Sequence, residues 1–212
     1  MADLPFALAA PLADRLRAVA DIEGKIPRVL EELGQLAGGD IALLDTPPGD
    51  LRDRLSAGAA SVVDVALAGP LRIGAPDASL DVVASLWTGF HGVNGADLAE
   101  VDRVLRPGGR LLVLHDYGRD DVSMLVEPGA PAYGAWTRRD GPFLGGGRFR
   151  VRVIHCFWTF DTLESARELL AEAFGERGET VGAGLKRPRL AWNVAVYHRL
   201  RGGAAPALLP EP

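Results

Sequence analysis

The spacing of hydrophobic residues predicts alternating helices and strands in the first half of the chain. Residues 12–36 carry apolar side chains at helical spacing, and Gly24 and Pro27 interrupt it, which predicts two consecutive helices. Short apolar runs beyond this region predict strands, and stretches of helical spacing predict the helices between them. In chain order, the strands are predicted at 41–44, 61–67, 80–87 and 110–115, and the helices at 49–57 and 97–105. This order indicates an α/β fold whose mainly parallel sheet is covered by helices on both faces.

The second half of the chain follows a different pattern. Residues 116–147 are rich in Gly, Pro and charge, which predicts a long loop of functional importance or mobility. β-Branched and aromatic residues predict an extended segment at 148–160. A helix is predicted at 162–174 with Asp161 as its N-terminal cap, and a last strand at 190–200.

The length of 212 residues favours one domain. We divide it into N-terminal helices at 1–36, an α/β domain at 37–200 and a tail at 201–212. The tail consists largely of Ala, Pro and Gly, and we expect it to be disordered.

Composition narrows the classes of partner. The net charge of -5 argues against broad attraction to nucleic acid or to anionic lipid. No apolar run reaches the roughly 18 residues of a membrane-spanning helix, and the N-terminus lacks the basic start of a signal peptide. Cys156 is the single cysteine, so no internal disulfide forms, which fits a reducing compartment. We therefore expect a cytoplasmic protein without nucleic-acid or membrane partners, and the oligomeric state stays open.

Two motifs in the centre of the chain resemble those of class I S-adenosylmethionine (SAM)-dependent methyltransferases, of the methyltransferase type 11-like group. The stretch PDASLDVV at 76–83 resembles the fourth-strand motif of that family. The stretch EVDRVLRPGGRL at 100–111 resembles the helix, turn and fifth strand that follow. The resemblance implies a Rossmann-like sheet and methyl transfer from SAM.

The resemblance also indicates where SAM would lie. In the family, a glycine-rich turn after the first strand approaches the cofactor closely. Here Asp45 matches the acidic residue at the strand end and Gly49 the last glycine, whereas residues 46–48 read Thr-Pro-Pro. Proline fixes φ and lacks an N–H, so it does not imitate a glycine with positive φ, and the motif is degenerate. By this resemblance Asp45 contacts the amino group of SAM, and Gly49, Leu86 and Trp87 line the pocket; a plain turn into a helix is the alternative.

The adenosine side departs further from the family pattern. Ala66 stands near the position of the acidic residue that holds the ribose, and Asp64 lies inside the strand. Residues 68–79 are interrupted by Gly and Pro and are too few for the usual helical crossover. We therefore expect a sheet shortened by about one strand and one helix, with SAM bound weakly or not at all in the isolated protein.

Acid–base candidates are few. His91 and His115 follow predicted strands and should lie at the carboxyl edge of the sheet, where open α/β sheets bind ligands. An ordinary hydrogen-bonded or exposed histidine is the alternative for each. No histidine pair has metal-ligand spacing, so we expect no metal site. Several aromatic residues are candidates to line a cavity or to fill the core: Trp87, Phe90, Tyr117, Trp136 and Trp158.

Two functions remain open at this point. The first is transfer of a methyl group from SAM to an unknown small-molecule acceptor. The second is a non-catalytic descendant of the family that has lost SAM binding and serves as a module for another ligand or a protein partner. The degenerate motif favours the second function and the resemblance favours the first.

Overall fold

The computed structural model describes residues 4, 8–46, 48–67, 69–87, 95–125, 137–145 and 149–203. In this part of the chain, the helices are α1 (Ala10–Val19), α2 (Lys25–Gly34), α3 (Asp50–Gly58), α4 (Gly95–Val104), α5 (Leu163–Phe174) and α6 (Glu176–Gly184). The strands are β1 (Asp40–Leu44), β2 (Ser61–Val65), β3 (Leu80–Leu86), β4 (Leu105–Asp116), β5 (Arg150–Thr159) and β6 (Arg189–Leu200). A short 3-10 helix, Val122–Leu125, follows β4.

The six strands form one sheet in the order β2-β1-β3-β4-β6-β5. Strands β1 to β4 run parallel, whereas β6 pairs antiparallel with both β4 and β5. The predicted fold class is thereby confirmed, including β1, β3 and β4 as neighbours and the last strand antiparallel near an edge. The central strands β1 and β3 are buried along most of their length, which explains their continuous apolar sequences.

Each face of the sheet is covered by its own apolar cluster. Leu16 of α1, Leu30 of α2 and Leu170 of α5 pack on one face, which we call the helical face. Val101 of α4 and Tyr197 of β6 belong to the cluster on the opposite face. The N-terminal helices thus share a core with the sheet. No helix in the described part of the chain is long and apolar enough to cross a membrane.

One expectation about the C-terminal half was wrong, and one helix there was not predicted. The N-terminal cap of α5 is Thr162 and not Asp161: the Thr162 hydroxyl accepts the N–H of Ser165, and the two residues form a capping box. Helix α6 was not predicted because its three glycines resemble a loop. A Cβ on Gly178 would lie 1.8 Å from the carbonyl oxygen of Leu170, so this glycine permits α6 to approach α5.

Strand β4 begins earlier than predicted, at Leu105 instead of residue 110. Helix α4 ends at Val104, and the Pro-Gly-Gly stretch lies inside β4: Leu105 already pairs with Leu80, and the register shifts before Val82 pairs with Arg110. A Cβ on Gly109 would lie 3.1 Å from the carbonyl oxygen of Asp81, so the irregular pairing requires a glycine there. The predicted tail and the loop at 116–147 lie partly outside the described residues.

The connection from β2 to β3 contains no helix in its described residues, as predicted. It is held by two side chains of α4. The Glu100 carboxylate is 8% exposed and accepts the N–H of Ile73 at 2.8 Å. The Arg103 guanidinium binds both Glu100 oxygens, at 2.8 and 2.9 Å, and donates to the carbonyl oxygens of Ile73 and Ala75. These contacts hold a non-helical segment against the sheet where the family resemblance implies a helix.

A second polar network joins the amino ends of the four parallel strands. Arg106 of β4 binds the carboxylates of Asp40 on β1 and Asp81 on β3. Asp81 accepts the N–H of Asp40 at 2.9 Å, and the Ser61 hydroxyl of β2 donates to Asp40 at 2.6 Å. The Ser61 hydroxyl and Arg106 together lower the pKa of Asp40. This network occupies the amino edge, so the opposite edge is the one left for a ligand.

We predict that Glu100→Gln destabilises the protein in a pH-dependent manner. The Arg103 guanidinium and the Ile73 N–H lower the pKa of Glu100 from 4.5 to about 2 in the folded protein. The carboxylate therefore contributes stability above pH 4.5, and that contribution is lost as the pH falls from 4.5 towards 2. We expect the free energy of unfolding in urea to drop by on the order of 2 kcal/mol at pH 7, with a smaller difference at pH 3.

The matched control is Glu168→Gln on the exposed surface of α5, which should leave the free energy of unfolding nearly unchanged. An equal loss for Glu100→Gln at pH 7 and pH 3 would contradict the role of its charge.

Candidate functional site

Two residues with left-handed backbone mark the carboxyl edge of the sheet. Asp45 directly follows β1 with φ 43°, and Trp87 directly follows the neighbouring β3 with φ 64°. The Asp45 N–H donates to the carbonyl oxygen of Val65 at 2.7 Å, and the Trp87 N–H donates to that of Leu114 at 3.0 Å. Positive φ is unfavourable for residues other than glycine, and such strain is concentrated at functional sites. The carboxyl edge is therefore the candidate site.

The first cavity at this edge, the β1–β2 cavity, lies where these two strands end. Its volume is about 590 Å³, and it is lined by Leu43, Asp45, Thr46, Pro48, Arg52, Asp64, Val65 and Ala66. Arg52 of α3 donates through Nη2 to both carboxylate oxygens of Asp64, each at 2.7 Å. The Asp64 carboxylate raises the pKa of Arg52, so the pair is charged. The cavity thus presents the exposed Asp45 and an ion pair between the partly buried Arg52 and the exposed Asp64.

The second cavity, the tryptophan cavity, lies on the helical face. Its volume is about 300 Å³, and it is lined by Arg17, Ala18, Ala20, Asp21, Ile22, Gly24, Ile26, Pro27, Asp50, Leu51, Arg54, Trp87 and Trp192. Helix α3 contributes to both cavities, through Arg52 to the first and through Leu51 and Arg54 to the second. The two cavities therefore lie on either side of the first turns of α3.

Two indoles line the tryptophan cavity, and one of them binds a buried carboxylate. The rings of Trp87 and Trp192 stack with centroids 5.5 Å apart and an interplanar angle of 16°. The Trp192 Nε1–H donates to Asp116 at 3.0 Å, and Asp116 is 5% exposed. The Trp87 Nε1–H is buried and finds no hydrogen-bond acceptor among the described residues. A buried N–H without an acceptor is costly, so a ligand atom at this position would be stabilising.

The charged side chains that line the tryptophan cavity differ in whether they already have a hydrogen-bond or ion-pair partner. Asp21 accepts the N–H groups of Lys25 and Ile26 and so caps α2. Arg17 binds Asp14 one turn earlier in α1. Arg54 is exposed and makes no hydrogen bond or ion pair with the residues that the structure describes. A cation is therefore available at the cavity.

The structure brings some of the sequence-predicted site residues together and separates others. Asp45 and Trp87 lie at the carboxyl edge, and Gly49 directly precedes α3 with an extended φ of 169°. Leu86 is fully buried in the cluster of the helical face and lines neither cavity. His115 is half-buried, with Nδ1 3.3 Å from the carbonyl oxygen of Asp116.

His115 does not face the tryptophan pair. Side chains alternate along β4: Leu112 and Leu114 belong to the helical face, so His115 points to the opposite one. His91 lies outside the described residues, as do Phe90 and Trp136. Within the described chain, no group of three His, Cys, Asp or Glu side chains could hold a metal ion.

Sequence reasoning missed Trp192 and Arg54. Trp192 lies on the core side of β6, and the inward-outward alternation of that strand is the signal that could have indicated it. No sequence signal places Arg54 beside a ligand cavity. Cys156 and Trp158 are fully buried core residues, and burial raises the pKa of the Cys156 thiol, so it is no nucleophile.

The comparison with curated proteins found a relative among methyltransferases. The chain is 34% identical over 134 residues to a ubiquinone/menaquinone biosynthesis C-methyltransferase of Bordetella avium. The match covers 60% of this chain and 49% of the relative, so the chain spans about half the length of the curated relative it matches. No protein-family model matches the chain.

Solved structures show the same fold. A protein described as a type II methyltransferase from Anaeromyxobacter dehalogenans superposes with a TM-score of 0.55 at 17% identity, covering 92% of this chain and 98% of that one. A geranyl diphosphate C-methyltransferase from Streptomyces coelicolor, solved with Mg²⁺, geranyl diphosphate and S-adenosyl-L-homocysteine, gives 0.50 at 14% identity, covering 89% and 83%. At these identities the likeness is one of fold.

We predict that Asp116 and Trp192 are energetically coupled. In a double-mutant cycle with Asp116→Ala and Trp192→Phe, the coupling in the free energy of unfolding should be about 1 to 3 kcal/mol, because each change leaves a buried polar partner unsatisfied. Urea unfolding of the four proteins measures it. The control combines Trp192→Phe with Thr162→Ala at the cap of α5, which should be additive. Additivity of Asp116→Ala and Trp192→Phe would show that their hydrogen bond contributes nothing.

Proposed function

We propose that this chain, which resembles class I SAM-dependent methyltransferases in its sequence motifs and its fold, transfers a methyl group from SAM to a small-molecule acceptor at the carboxyl edge of its sheet. The observation that supports this most is the pair of strained residues, Asp45 and Trp87, at the ends of adjacent parallel strands, each beside a cavity. Methyl transfer requires a place for the donor and a place for the acceptor that meet at one point.

The β1–β2 cavity fits one end of SAM better than the other. The exposed Asp45 carboxylate would hold the ammonium group of the cofactor, and Leu43 and Val65 offer apolar surface for adenine. Pro48 has no N–H to donate to a ligand carboxylate. Ala66 supplies no acceptor for the ribose hydroxyls, and Asp64, the nearest carboxylate along the chain, is bound to Arg52. The residues therefore fit the methionine end and hold the ribose poorly.

SAM, when bound, supplies a methyl group on a positively charged sulfur, and alignment with the acceptor atom is enough for transfer. The protein's task is then to orient the acceptor and to exclude water. Trp87 is suited to this task because it is 8% exposed, is held by its backbone bond to Leu114, and borders the tryptophan cavity. In this proposal the acceptor enters the tryptophan cavity, and no histidine is needed.

A non-catalytic ligand-binding protein is the second candidate. The ion pair between Arg52 and Asp64 favours it, because that pair occupies the cavity wall where a ribose would need a free carboxylate. In this case the tryptophan cavity would bind its ligand alone.

We predict that SAM binds weakly and that Ala66→Asp strengthens its binding. Calorimetry with SAM and with S-adenosylhomocysteine should give a dissociation constant above about 100 µM for the unchanged protein, because two polar groups of the ligand lack partners. Ala66→Asp supplies a ribose acceptor and should tighten binding by roughly tenfold. Asp45→Ala should abolish it.

The matched control is Ala60→Asp, which adds the same charge directly before β2 instead of directly after it and should leave binding unchanged. A low-micromolar constant in the unchanged protein, lost on Asp45→Ala, would refute the weak ribose contact and strengthen the catalytic proposal. No binding in any variant, including Ala66→Asp, would refute the catalytic proposal and favour the second candidate.

A further inference from the structure

Trp87 lines the tryptophan cavity, and its indole N–H is a buried hydrogen-bond donor that the described part of the protein does not use. Trp87 is 8% exposed, and its Nε1–H has no acceptor among the described residues. An indole N–H only donates, so its partner in a ligand must be an acceptor atom. The neighbouring indole of Trp192, in contrast, donates its N–H to Asp116.

Four charged side chains line the cavity, Arg17, Asp21, Asp50 and Arg54, and Asp50 already takes part in an interaction with other residues. Both carboxylate oxygens of Asp21 are bound by backbone N–H groups of α2, and Arg17 is bound by Asp14. The Arg54 guanidinium lines the cavity without an ion-pair partner among the described residues. Guanidinium groups bind carboxylates and other anionic oxygens more strongly than neutral acceptors. The cavity therefore favours an anionic acceptor group.

The size and the walls of the cavity limit the rest of the ligand. A volume of about 300 Å³ is at the lower end of ligand pockets, so the ligand has about one or two rings. The lining indoles of Trp87 and Trp192 offer aromatic contacts, and flat rings bind such surfaces with an additional favourable term.

We propose that the tryptophan cavity binds a flat aromatic ring that carries an anionic oxygen, which accepts from the Trp87 Nε1–H and pairs with Arg54. The role of this ligand as the methyl acceptor rests on the proposed function, and the proposal adds the chemical class of the acceptor. Binding to the cavity itself does not require SAM and is tested without it.

The test is calorimetric titration of the full chain with salicylate, in the absence of SAM. Salicylate should bind at least tenfold more tightly than salicylamide, which lacks the charge, and than cyclohexanecarboxylate, which lacks the flat ring. Arg54→Gln and Trp87→Phe should each weaken salicylate binding about tenfold. The matched controls are Arg28→Gln on the exposed side of α2 and Trp158→Phe in the core, both outside the cavity lining.

Equal binding of salicylate and salicylamide, or equal loss in Arg54→Gln and Arg28→Gln, would overturn the assignment. Arg54 is exposed, so its variant should fold even if Trp87→Phe does not. The SAM titration separates the two proposals: SAM binding without salicylate binding overturns the acceptor class alone. Salicylate binding without SAM binding, even in Ala66→Asp, overturns methyl transfer and leaves a binding site for aromatic anions.

Discussion

The Glu100 carboxylate lies buried between α4 and the segment that leads from β2 to β3, and it accepts the N–H of Ile73 while Arg103 binds both of its oxygens. This contact stabilises a connection that the topology of the sheet requires. A chain that leaves one parallel strand must return to the opposite edge before the next can begin, and a helix usually makes this connection. Here the described residues of the connection form no helix, so their backbone groups lack helical partners, and side chains of α4 bind the backbone at Ile73 and Ala75. Leu71 and Ile73 can then be buried against the sheet.

The two edges of the sheet are consequently different. At the amino edge, Arg106, Asp40, Asp81 and Ser61 bind one another across all four parallel strands. At the carboxyl edge, β1 and β3 are followed by Asp45 and Trp87, which have positive φ, and the Trp87 indole N–H has no acceptor among the described residues. Stability from the core and from the amino edge supports this strain, and the strained residues border cavities. The candidate site therefore lies at the carboxyl ends of the strands, where open α/β sheets bind their ligands.

The residues of the β1–β2 cavity depart from the family pattern in related ways. No further strand lies beyond β2 in the described chain, and Ala66 lines the β1–β2 cavity where the resemblance to the family implies an acidic residue. Arg52 pairs with Asp64 at the wall of the same cavity. The tryptophan cavity, in contrast, is lined by Trp87, whose buried N–H has no acceptor among the described residues, and by Arg54, which has no ion-pair partner among them. The ligand site that we propose therefore lies on the helical face, where α1, α2 and α3 contribute to the cavity.

The sequence by itself determined the fold class and the position of the candidate edge. Continuous apolar runs, helical spacing and the Pro-Gly-Gly turn are local signals, and they correctly predicted the parallel strands and the missing helical connection. Asp45 and Trp87 could be placed at the edge because each directly follows a recognisable strand. Only the tertiary structure decided what these residues face. The stacking of Trp87 on Trp192 joins residues far apart in the chain, and helix α6 depends on the close approach that Gly178 permits. Such contacts depend on distances between elements, which the pattern along a single chain does not contain.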